Sequence, residues 1–274
     1  MAKEIFDVIH DMQAQGQPFA VATVVETEGS VSAKTASKAV IDQDGRVVAG
    51  WVGGGCAEST TCSAALSCME SGETTVIDID LNDEVLGAGM PCGGSMRVYV
   101  EPVLPRPTLW IMGHGRVAEC LCLMGDLMGL EVVVNDPGVD WDRYPNATRL
   151  ITDDLDYEQL QPTQGDFVVI ATQHKGDHES MKRALASSTD YIALIASRKR
   201  SRLVLDYLRH EGFGEEVIDR VMAPSGLDLG ARTAEEIALC VISEIVLVRR
   251  GGSGLRMREK LRQEKVQAPL AGAN

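Results

Sequence analysis

The chain has 274 residues, 45% of them hydrophobic, which is enough to form the core of one large domain or of two smaller ones. Its 26 Lys and Arg against 40 Asp and Glu give a formal net charge of −14, and aromatic residues make up 4% of the chain. Such a charge would repel nucleic-acid phosphates, and base stacking needs more aromatic side chains, so no nucleic-acid partner is expected.

The sequence contains no recognisable membrane or secretion signal. No apolar run reaches the roughly 18 residues of a membrane-spanning helix, and residues 1–4 do not begin the apolar stretch of a signal peptide. Seven cysteines, an odd number, fit a reducing compartment and predict a cytoplasmic protein. Cys56, Cys62 and Cys68 recur at steps of about 240° around a helix, and no Cys-x-x-Cys pair occurs, so no structural metal site is predicted.

The first hundred residues predict a small mixed α+β domain, residues 1–103. Apolar side chains at residues 5–12 have helical spacing, and residues 20–25 form an apolar run typical of a buried strand. Asp44-Gly45 between two strand-like runs is a hairpin signal. The predicted elements, in order, are a helix at 5–12, strands at 20–25, 38–41 and 46–49, a helix at 58–70, and strands at 74–79 and 96–103.

A glycine-rich loop with a cysteine follows the third of these strands. It reads Gly53-Gly54-Gly55-Cys56-Ala57-Glu58 and leads into the predicted helix. Three glycines let the backbone approach a bulky anionic ligand, and a helix N-terminus offers unpaired N–H groups to a phosphate. The same positive end of the helix favours the thiolate form of Cys56. Either this loop holds a phosphate-bearing ligand beside a soft sulfur, or it is a tight turn with an inert buried cysteine.

A second glycine–cysteine sequence occurs at Met90-Pro91-Cys92-Gly93-Gly94. Two such loops in one small domain suggest that Cys56 and Cys92 meet at the sulfur or metal of one ligand, although their spacing does not establish this. Pro102, Pro105 and Pro107 follow soon after. Because proline stiffens the chain and cannot continue a strand ladder, this stretch predicts an interdomain linker.

Strand and helix patterns alternate after the linker, which predicts parallel βαβ units in a Rossmann-like domain at residues 108–250. The strands are predicted at 109–112, 132–135, 167–171 and 191–195, and helices begin at Arg116, His178 and Arg202. The last helix has a capping box of Thr233 and Glu236 and a glycine stop at Gly251. Residues 251–274 are predicted to be a flexible tail. The fold class is therefore α/β, with a smaller α+β domain in front.

A nucleotide-binding fingerprint opens the second domain. Gly113-His114-Gly115-Arg116-Val117-Ala118 has the form G-x-G-x-x-A between a strand and a helix. Asp136 ends the next predicted strand. In Rossmann folds a carboxylate at this position binds a ribose hydroxyl, and it favours a ribose without a 2′-phosphate. The sequence thus predicts a nucleotide site with Gly113, Gly115 and Asp136. The alternative is a Rossmann scaffold whose site is empty or has another use.

Further candidate ligand residues follow the next two strands of this domain, at the carboxyl edge where doubly wound sheets bind ligands. Thr172 and the polar run Gln173-His174-Lys175-Gly176-Asp177-His178 follow the first, and His174 and His178 are candidates for ligand contact or proton transfer. Arg198, Lys199 and Arg200 follow the second and are predicted phosphate contacts. For both runs the alternative is that these residues only begin a helix and face solvent.

Together these motifs resemble the xanthine dehydrogenase accessory (XdhC/CoxI) family over roughly residues 1–250. The matching stretches are Glu28-Gly29-Ser30, Asp44-Gly45-Arg46, Gly53-Gly54-Gly55-Cys56-Ala57-Glu58, Cys92-Gly93-Gly94, Ser197-Arg198-Lys199-Arg200, Pro224-Ser225-Gly226-Leu227-Asp228-Leu229-Gly230 and Thr233-Ala234-Glu235-Glu236-Ile237-Ala238. The run from Gln173 to His178 is similar to the carbon monoxide dehydrogenase accessory branch.

The resemblance implies a maturation factor for molybdenum hydroxylases. Such proteins are expected to bind molybdenum cofactor, to protect it, and to assist its sulfuration and insertion into a hydroxylase apoenzyme. Gly53, Gly54, Gly55, Cys56 and Cys92 would then contact the cofactor, with Cys56 near its molybdenum. A cysteine desulfurase is a further expected partner, a dinucleotide form of the cofactor is a further expected ligand, and a homodimer is a further expected assembly.

The chain departs from the family pattern at two loops. After Gly29-Ser30 the family has Pro-Arg and then Gly-Ala-Lys-Met, whereas this chain has Ser32-Ala33 and then Ala36-Ser37-Lys38-Ala39. Loss of that arginine removes a candidate phosphate contact. The family's commoner nucleotide loop is Gly-Ala-Gly-His, whereas this chain has Gly113-His114-Gly115-Arg116.

Three functional hypotheses remain open from the sequence. The first is a cofactor-binding chaperone without turnover of its own, which uses Cys56. The second is an NAD-dependent oxidoreductase, with Asp136 on the ribose and His174 or His178 as the acid–base group. The third is a scaffold that docks onto a hydroxylase through its acidic surface and binds no small ligand.

Overall fold

The computed structural model describes residues 4–81, 93–172, 177–189 and 191–267. They form two compact units with the boundary between Arg106 and Pro107, within the proline-containing stretch predicted to be a linker. Two of the predicted site residues, Cys92 and His174, lie outside the described residues.

The first unit is built on a five-stranded antiparallel sheet with strand order β3-β2-β1-β5-β4. The hairpin predicted at Asp44-Gly45 joins β2 to β3, which are antiparallel neighbours. The elements of this unit are α1 (Ile5–Ala14), β1 (Phe19–Gly29), β2 (Lys38–Asp42), β3 (Val47–Gly50), α2 (Cys56–Ser71), β4 (Thr75–Asp80) and β5 (Gly94–Val103).

Both faces of this sheet are covered near strand β1, because successive side chains of a strand point to opposite faces. Ala20, Ala22 and Val24 are buried in a cluster with small residues of α2, while Phe19 and Val21 are buried in a second cluster with α1. The α2 side chains in contact with the sheet include Ala57, Ala65 and Cys68. Their small size lets the long helix lie close to the strands.

The second unit contains a six-stranded parallel sheet with strand order β11-β10-β9-β6-β7-β8. Counted along the chain from β6, this is the Rossmann order, so the predicted fold class is confirmed. Its elements are β6 (Thr108–Met112), α3 (Arg116–Leu127), β7 (Glu131–Asn135), β8 (Arg149–Ile151), β9 (Phe167–Ile170), α4 (Asp177–Leu185), β10 (Tyr191–Leu194), α5 (Arg198–His210), α6 (Glu215–Ile218), β11 (Val221–Met222), α7 (Ala234–Arg250) and α8 (Met257–Gln267).

Helices cover both faces of the parallel sheet, which explains why its strands are continuous apolar runs. Helices α3 and α7 pack on one face through Leu121 and Val241, and α4 and α5 pack on the other through Met181 and Val204. The chain order reverses at β6, which pairs with both β7 and β9. The carboxyl ends of these strands are where a doubly wound sheet presents its ligand crevice.

Two helix starts differ from the predicted ones by more than one residue, and both changes affect candidate site residues. Helix α5 begins at Arg198 instead of Arg202, so the basic run is its first turn. The Ser197 side chain caps this helix by accepting the backbone N–H of Arg200 at 3.3 Å, which offsets the unfavourable cations near the N-terminus. Helix α2 begins at Cys56 instead of Glu58.

The segment predicted to be a flexible tail contains a further helix. The capping box of Thr233 and Glu236 and the glycine stop at Gly251 delimit α7 as predicted, but α8 follows at Met257–Gln267. This segment contains Arg, Glu, Lys, Leu and Gln, all good helix formers. In the described part of the chain, none of the helices has the length and apolarity needed to cross a bilayer.

Candidate functional site

The Gly53–Gly55 loop connects β3 to α2, and its conformation requires glycine. The φ angles of Gly53 and Gly55 are 116° and 60°, in the region that other residues rarely adopt. A Cβ on Gly53 would lie 3.1 Å from the Ala57 Cβ, whereas a Cβ on Gly54 or Gly55 would meet no atom of the described residues within 4 Å. None of those residues covers the outer part of the loop, where a ligand can approach the backbone.

Cys56 is the first residue of the 16-residue helix α2, directly after this loop. Its thiol is partly exposed, and its Sγ lies 4.0 Å from the Thr60 Oγ1 one turn along the helix. Buried Cys68, in contrast, directs its Sγ to the Val100 carbonyl at 3.9 Å, and burial raises the pKa of its thiol. Cys56 is thus a sulfur at a helix N-terminus that a ligand can reach.

The second glycine sequence makes a structural contact with the Glu28-Gly29-Ser30 turn. The Ser30 N–H donates to the Gly93 carbonyl at 3.3 Å. A Cβ on Gly29 would lie 2.7 Å from that carbonyl oxygen, and a Cβ on Gly94 would lie 2.4 Å from the Glu28 carbonyl oxygen. Close approach of two chain segments therefore explains these glycines, while Cys92 of the same loop is outside the described residues.

The glycine loop of the Rossmann unit lies between β6 and α3. The φ angle of Gly113 is 120°, and a Cβ there would lie 2.6 Å from the Ala171 carbonyl after β9. The Gly115 N–H donates to the hydroxyl of Tyr144 at 3.0 Å. Tyr144 is fully buried, and burial raises the pKa of its hydroxyl. A backbone donor that a dinucleotide phosphate would use is thus bonded to the protein itself.

A strap formed by residues 143–146 runs along α3 beside this loop. The Arg143 guanidinium donates to Glu119 Oε1, at 2.8 Å from Nε and 2.5 Å from Nη2. The Asn146 amide donates to Asp126 Oδ2 at 2.8 Å. Tyr144 lies between these two contacts, so the strap holds its hydroxyl against Gly115.

Asp136 lies at the end of β7, where the sequence predicts a ribose contact. Its Oδ1 accepts the Gly138 N–H at 2.7 Å and lies 2.8 Å from His114 Nδ1. Within the described residues, Asp136 Oδ2 makes no such contact, and this oxygen remains the predicted ribose acceptor. The sequence pattern does not predict His114 or Tyr144 as site residues. Their contacts depend on loop geometry over 22 and 29 residues of sequence separation, which no motif encodes.

Thr172, Asp177 and Arg200 form a buried polar cluster at the carboxyl edge of β9. The Arg200 Nε donates to Asp177 Oδ2 at 2.6 Å, and its Nη2 donates to the Thr172 carbonyl at 3.0 Å. The Thr172 hydroxyl donates to the other Asp177 oxygen. Arg200 is therefore neutralised within the fold, unlike the open phosphate contact that the sequence predicts.

The neighbouring basic residues Arg198 and Lys199 are exposed, and neither forms an ion pair with a described residue. Together with Asp136 they remain predicted ligand contacts at this edge. His178, a predicted acid–base candidate, packs edge-on against Tyr207 with ring centroids 4.1 Å apart. This contact gives His178 a packing role in α4, and His174 is outside the described residues.

The Pro224–Gly230 turn is anchored on both sides, which accounts for its glycine and serine. Glu244 of α7 accepts the Gly226 N–H at 2.9 Å and the Tyr191 hydroxyl at 2.8 Å through the same Oε2. The Ser225 hydroxyl donates to the Leu194 carbonyl at 3.1 Å. A Cβ on Gly226 would lie 3.0 Å from the Cys240 Cβ. The turn therefore ties α7 to the end of β10.

Comparison with known families gives two matches, one in each unit. Residues 109–245 match the family described as XdhC Rossmann domain, and residues 12–80 match the XdhC and CoxI family. The second match includes the Gly53–Gly55 loop and Cys56.

Three relatives are similar to this chain, two of them over most of its length and one over about half of it. The chain is 30% identical over 257 residues to the uncharacterized protein YqeB of Escherichia coli, covering 91% of the chain and 47% of YqeB. It is 26% identical over 159 residues to a Bacillus subtilis protein named as a probable xanthine dehydrogenase component, covering 56% of the chain and 46% of that protein. It is 25% identical over 270 residues to the molybdenum cofactor insertion chaperone PaoD of E. coli, covering 85% of the chain and 84% of PaoD.

The chain thus spans about half the length of YqeB and of the B. subtilis protein. A crystal structure described as a xanthine dehydrogenase from Bacillus halodurans is similar at 20% identity and a TM-score of 0.48, covering 94% of this chain and all of that one. The two family matches together extend through most of both units. The chain therefore belongs to the XdhC and CoxI family, and its second unit is an XdhC Rossmann domain.

Proposed function

We propose that this protein binds molybdenum cofactor as cargo and delivers it to a molybdenum hydroxylase of the xanthine or carbon monoxide dehydrogenase type. Family membership and the similarity to a relative named as a molybdenum cofactor insertion chaperone support the proposal. It acts as a carrier and not as an enzyme with its own turnover. Sulfuration of the cargo, with a cysteine desulfurase as sulfur donor, belongs to the same proposal.

The observation on which the proposal depends is the partly exposed thiol of Cys56 behind an open glycine loop. The cargo is a pterin phosphate with a dithiolene-bound metal. Backbone N–H groups and the positive end of a 16-residue helix suit its phosphate, and thiolate sulfur is a soft ligand for the metal or a partner for its terminal sulfur. Gly54 and Gly55 keep this approach open because a side chain at either position would occupy that space.

The proposal is tested by loading the purified full chain with molybdenum cofactor released from a molybdoenzyme and measuring the pterin that stays bound. Cys56→Ser is expected to retain roughly tenfold less pterin than wild type, which corresponds to about 1.4 kcal/mol. Cys62→Ser is the matched control, because Cys62 lies on the same helix and is also partly exposed. Equal retention by the two variants would remove Cys56 from the site, and no retention by wild type would end the carrier proposal.

A nucleotide-binding role for the Rossmann unit is a second candidate, favoured by Asp136 at the end of β7 and by the Rossmann strand order. It includes an NAD-dependent oxidoreductase and binding of a dinucleotide form of the cofactor. The contact of Tyr144 with Gly115 weighs against a dinucleotide bound in the usual way. Calorimetric titration with NAD, NADH and ADP separates the cases. Heat from any of them supports this role, and no heat at millimolar ligand removes it.

A further inference from the structure

The Tyr144 hydroxyl occupies a hydrogen-bond donor at the glycine loop of the Rossmann unit. The Gly115 N–H, a donor of the kind that a Rossmann fold offers to a phosphate, donates to this hydroxyl at 3.0 Å. The tyrosine oxygen thus takes the place of a phosphate oxygen. Because Tyr144 is fully buried, a phosphate can reach this N–H only by displacing the tyrosine side chain.

The strap of residues 143–146 holds Tyr144 in this position. The Tyr144 N–H donates to the Asp140 carbonyl at 3.1 Å. Next to it, the Arg143 guanidinium donates to Glu119 of α3, at 2.8 Å from Nε. Displacement of Tyr144 would therefore disturb several bonds at once, in addition to the one with Gly115.

The one arginine of the fingerprint is also bonded within the protein. Arg116 begins α3, and its guanidinium donates to Glu235 Oε1 at 2.8 Å and to Glu119 Oε2 at 3.3 Å. Two carboxylates therefore compete with a phosphate for this cation. Neither the Gly115 N–H nor Arg116 is left without a partner at the point where a diphosphate would lie.

The polar atoms that remain free beside this loop are acceptors. Asp136 Oδ1 accepts the Gly138 N–H at 2.7 Å and lies 2.8 Å from His114 Nδ1. An ionised carboxylate only accepts hydrogen bonds, so His114 Nδ1 donates in this contact, and Nε2 of the neutral ring is an acceptor. Among the described residues, His114 Nε2 and Asp136 Oδ2 have no hydrogen-bond partner. Both side chains are partly accessible, at 33% and 17%.

We propose that this crevice binds an uncharged ribonucleoside and that Tyr144 disfavours the corresponding 5′-diphosphate. The inference rests on the nucleotide-binding role proposed above and narrows its ligand. The two neighbouring hydroxyl groups of a ribose can donate one hydrogen bond to Asp136 Oδ2 and one to His114 Nε2. A diphosphate carries negative charge and acceptor oxygens, which would meet the Asp136 carboxylate and the Tyr144 oxygen.

The exposed cations of this sheet edge do not restore a diphosphate site at the loop. Arg198 and Lys199 follow β10, and β9 separates β10 from β6 in the sheet. Since neighbouring strands lie about 4.8 Å apart, these residues begin about 10 Å from the loop after β6. A phosphate bound by them would occupy a different site, and its binding would not depend on Tyr144.

The first test is isothermal titration calorimetry of the purified full chain at two temperatures. The ligands are adenosine, guanosine, cytidine and uridine, together with their 5′-diphosphates and their 2′-deoxy forms. At least one ribonucleoside should bind, and its 5′-diphosphate should bind roughly tenfold more weakly. Its 2′-deoxy form should also bind roughly tenfold more weakly, because one hydroxyl donor is missing and a protein acceptor stays unpaired.

Tyr144→Phe tests the role of the hydroxyl directly, because it frees the Gly115 N–H and keeps the buried ring. In this variant the ratio of nucleoside affinity to diphosphate affinity should fall by at least roughly tenfold. Tyr99→Phe is the matched control, since Tyr99 lies on β5 of the other unit. It should keep the wild-type ratio. Circular dichroism spectra equal to that of wild type establish that both variants are folded.

Diphosphates that bind wild type at least as tightly as the nucleosides would overturn this inference and leave the nucleotide-binding role standing. So would an unchanged affinity ratio in Tyr144→Phe, or a 2′-deoxynucleoside that binds as tightly as the ribonucleoside. If no nucleoside and no diphosphate binds, the inference and the nucleotide-binding role both fail. The carrier proposal is independent of these results, because its test measures pterin retention at Cys56.

Discussion

Arg200 and Asp177 form the most buried ion pair of the described residues, with side chains 16% and 5% exposed. Two hydrogen bonds to Thr172 complete the shell of the guanidinium, at the carbonyl and the hydroxyl. A buried charge is tolerated only with such a partner. The pair therefore fixes the start of α5 against the end of β9, where the Rossmann unit is expected to meet a ligand.

Replacing Asp177 with Ala should lower the free energy of unfolding by about 3–5 kcal/mol, because Arg200 would remain buried without a counter-charge. Urea unfolding followed by circular dichroism measures the change. Asp44→Ala is the control, since the Asp44–Arg46 pair is exposed, and such pairs contribute about 0–1 kcal/mol. If both substitutions changed stability equally little, Asp177 would not be the partner on which Arg200 depends.

Ala36 has a strained backbone conformation. Its φ is 73°, a conformation that costs a residue with a Cβ about 1–2 kcal/mol. The turn is closed by the Ala36 N–H, which donates to the Val24 carbonyl at 2.8 Å. A glycine at this position would adopt the same turn without that strain.

Ala36→Gly should therefore raise the free energy of unfolding by about 0.5–1 kcal/mol, the strain relieved less the entropy that glycine loses on folding. The midpoint of urea unfolding measures it. Ala64→Gly, in the interior of α2, should have the opposite sign and cost about 1 kcal/mol. A loss of stability in both variants would show that the turn does not strain Ala36.

Among helices and strands, the sequence predicts the types and order of the main elements because their apolar periodicity is strong. The fingerprint Gly113–Ala118 also predicts where β6 meets α3 correctly. The short strands β8 and β11 have three and two residues, too few to show a period, and were not predicted. Helix α8 was missed because its exposed residues have no apolar stripe facing a core.

The candidate site was less predictable than the fold, for a physical reason. The sequence shows which residues lie at the ends of strands, but it does not show which of them bond to each other. Arg200 and Asp136 lie at the carboxyl edge of the parallel sheet, as predicted. Part of the hydrogen-bonding capacity of Arg200 is used by Asp177, and part of that of Asp136 is used by His114. These pairings depend on side-chain directions in loops, which follow from the folded backbone and not from spacing.

The N-terminus of α7 is stabilised by a carboxylate, so its stability should depend on pH. Glu236 accepts the backbone N–H groups of Arg232 at 2.7 Å and Thr233 at 3.0 Å, and these bonds lower the pKa of Glu236. The folded pKa lies below the unfolded value of about 4.3. The stabilisation is therefore present at pH values above the unfolded pKa, and it is lost as the pH falls through the folded pKa.

Glu236→Gln should remove this pH-dependent part of the stability. The difference in the free energy of unfolding between wild type and Glu236→Gln is expected to be constant from about pH 7 to pH 5 and to shrink below about pH 4. Chemical unfolding at a series of pH values measures it. Glu216→Gln, on an exposed residue of α6, is the control for the loss of one carboxylate. A difference that grows on acidification would contradict the assignment.

At the scale of the whole molecule, the four hydrophobic clusters formed by the described residues fall on one side or the other of the boundary at Arg106. Two contain residues of the first unit only, and two contain residues of the second unit only. Burial of apolar surface is the main source of stability, and here each unit completes it with its own side chains. We propose on this basis that residues 1–103 and 108–250 are domains that fold as separate cooperative units.

Leu121→Ala tests this separation, because Leu121 is fully buried on α3 in the core of the Rossmann unit. The loss of a buried leucine should lower the stability of that unit by about 2–5 kcal/mol. Amide hydrogen exchange should show faster opening throughout β6, β7 and β9, while the amides of β1 and β5 keep wild-type protection. Val98→Ala, in the core of the first unit, should give the reciprocal pattern. Because two cores that unfold together share one opening free energy, an equal loss of protection in both units from either substitution would mean that the chain folds as a single domain.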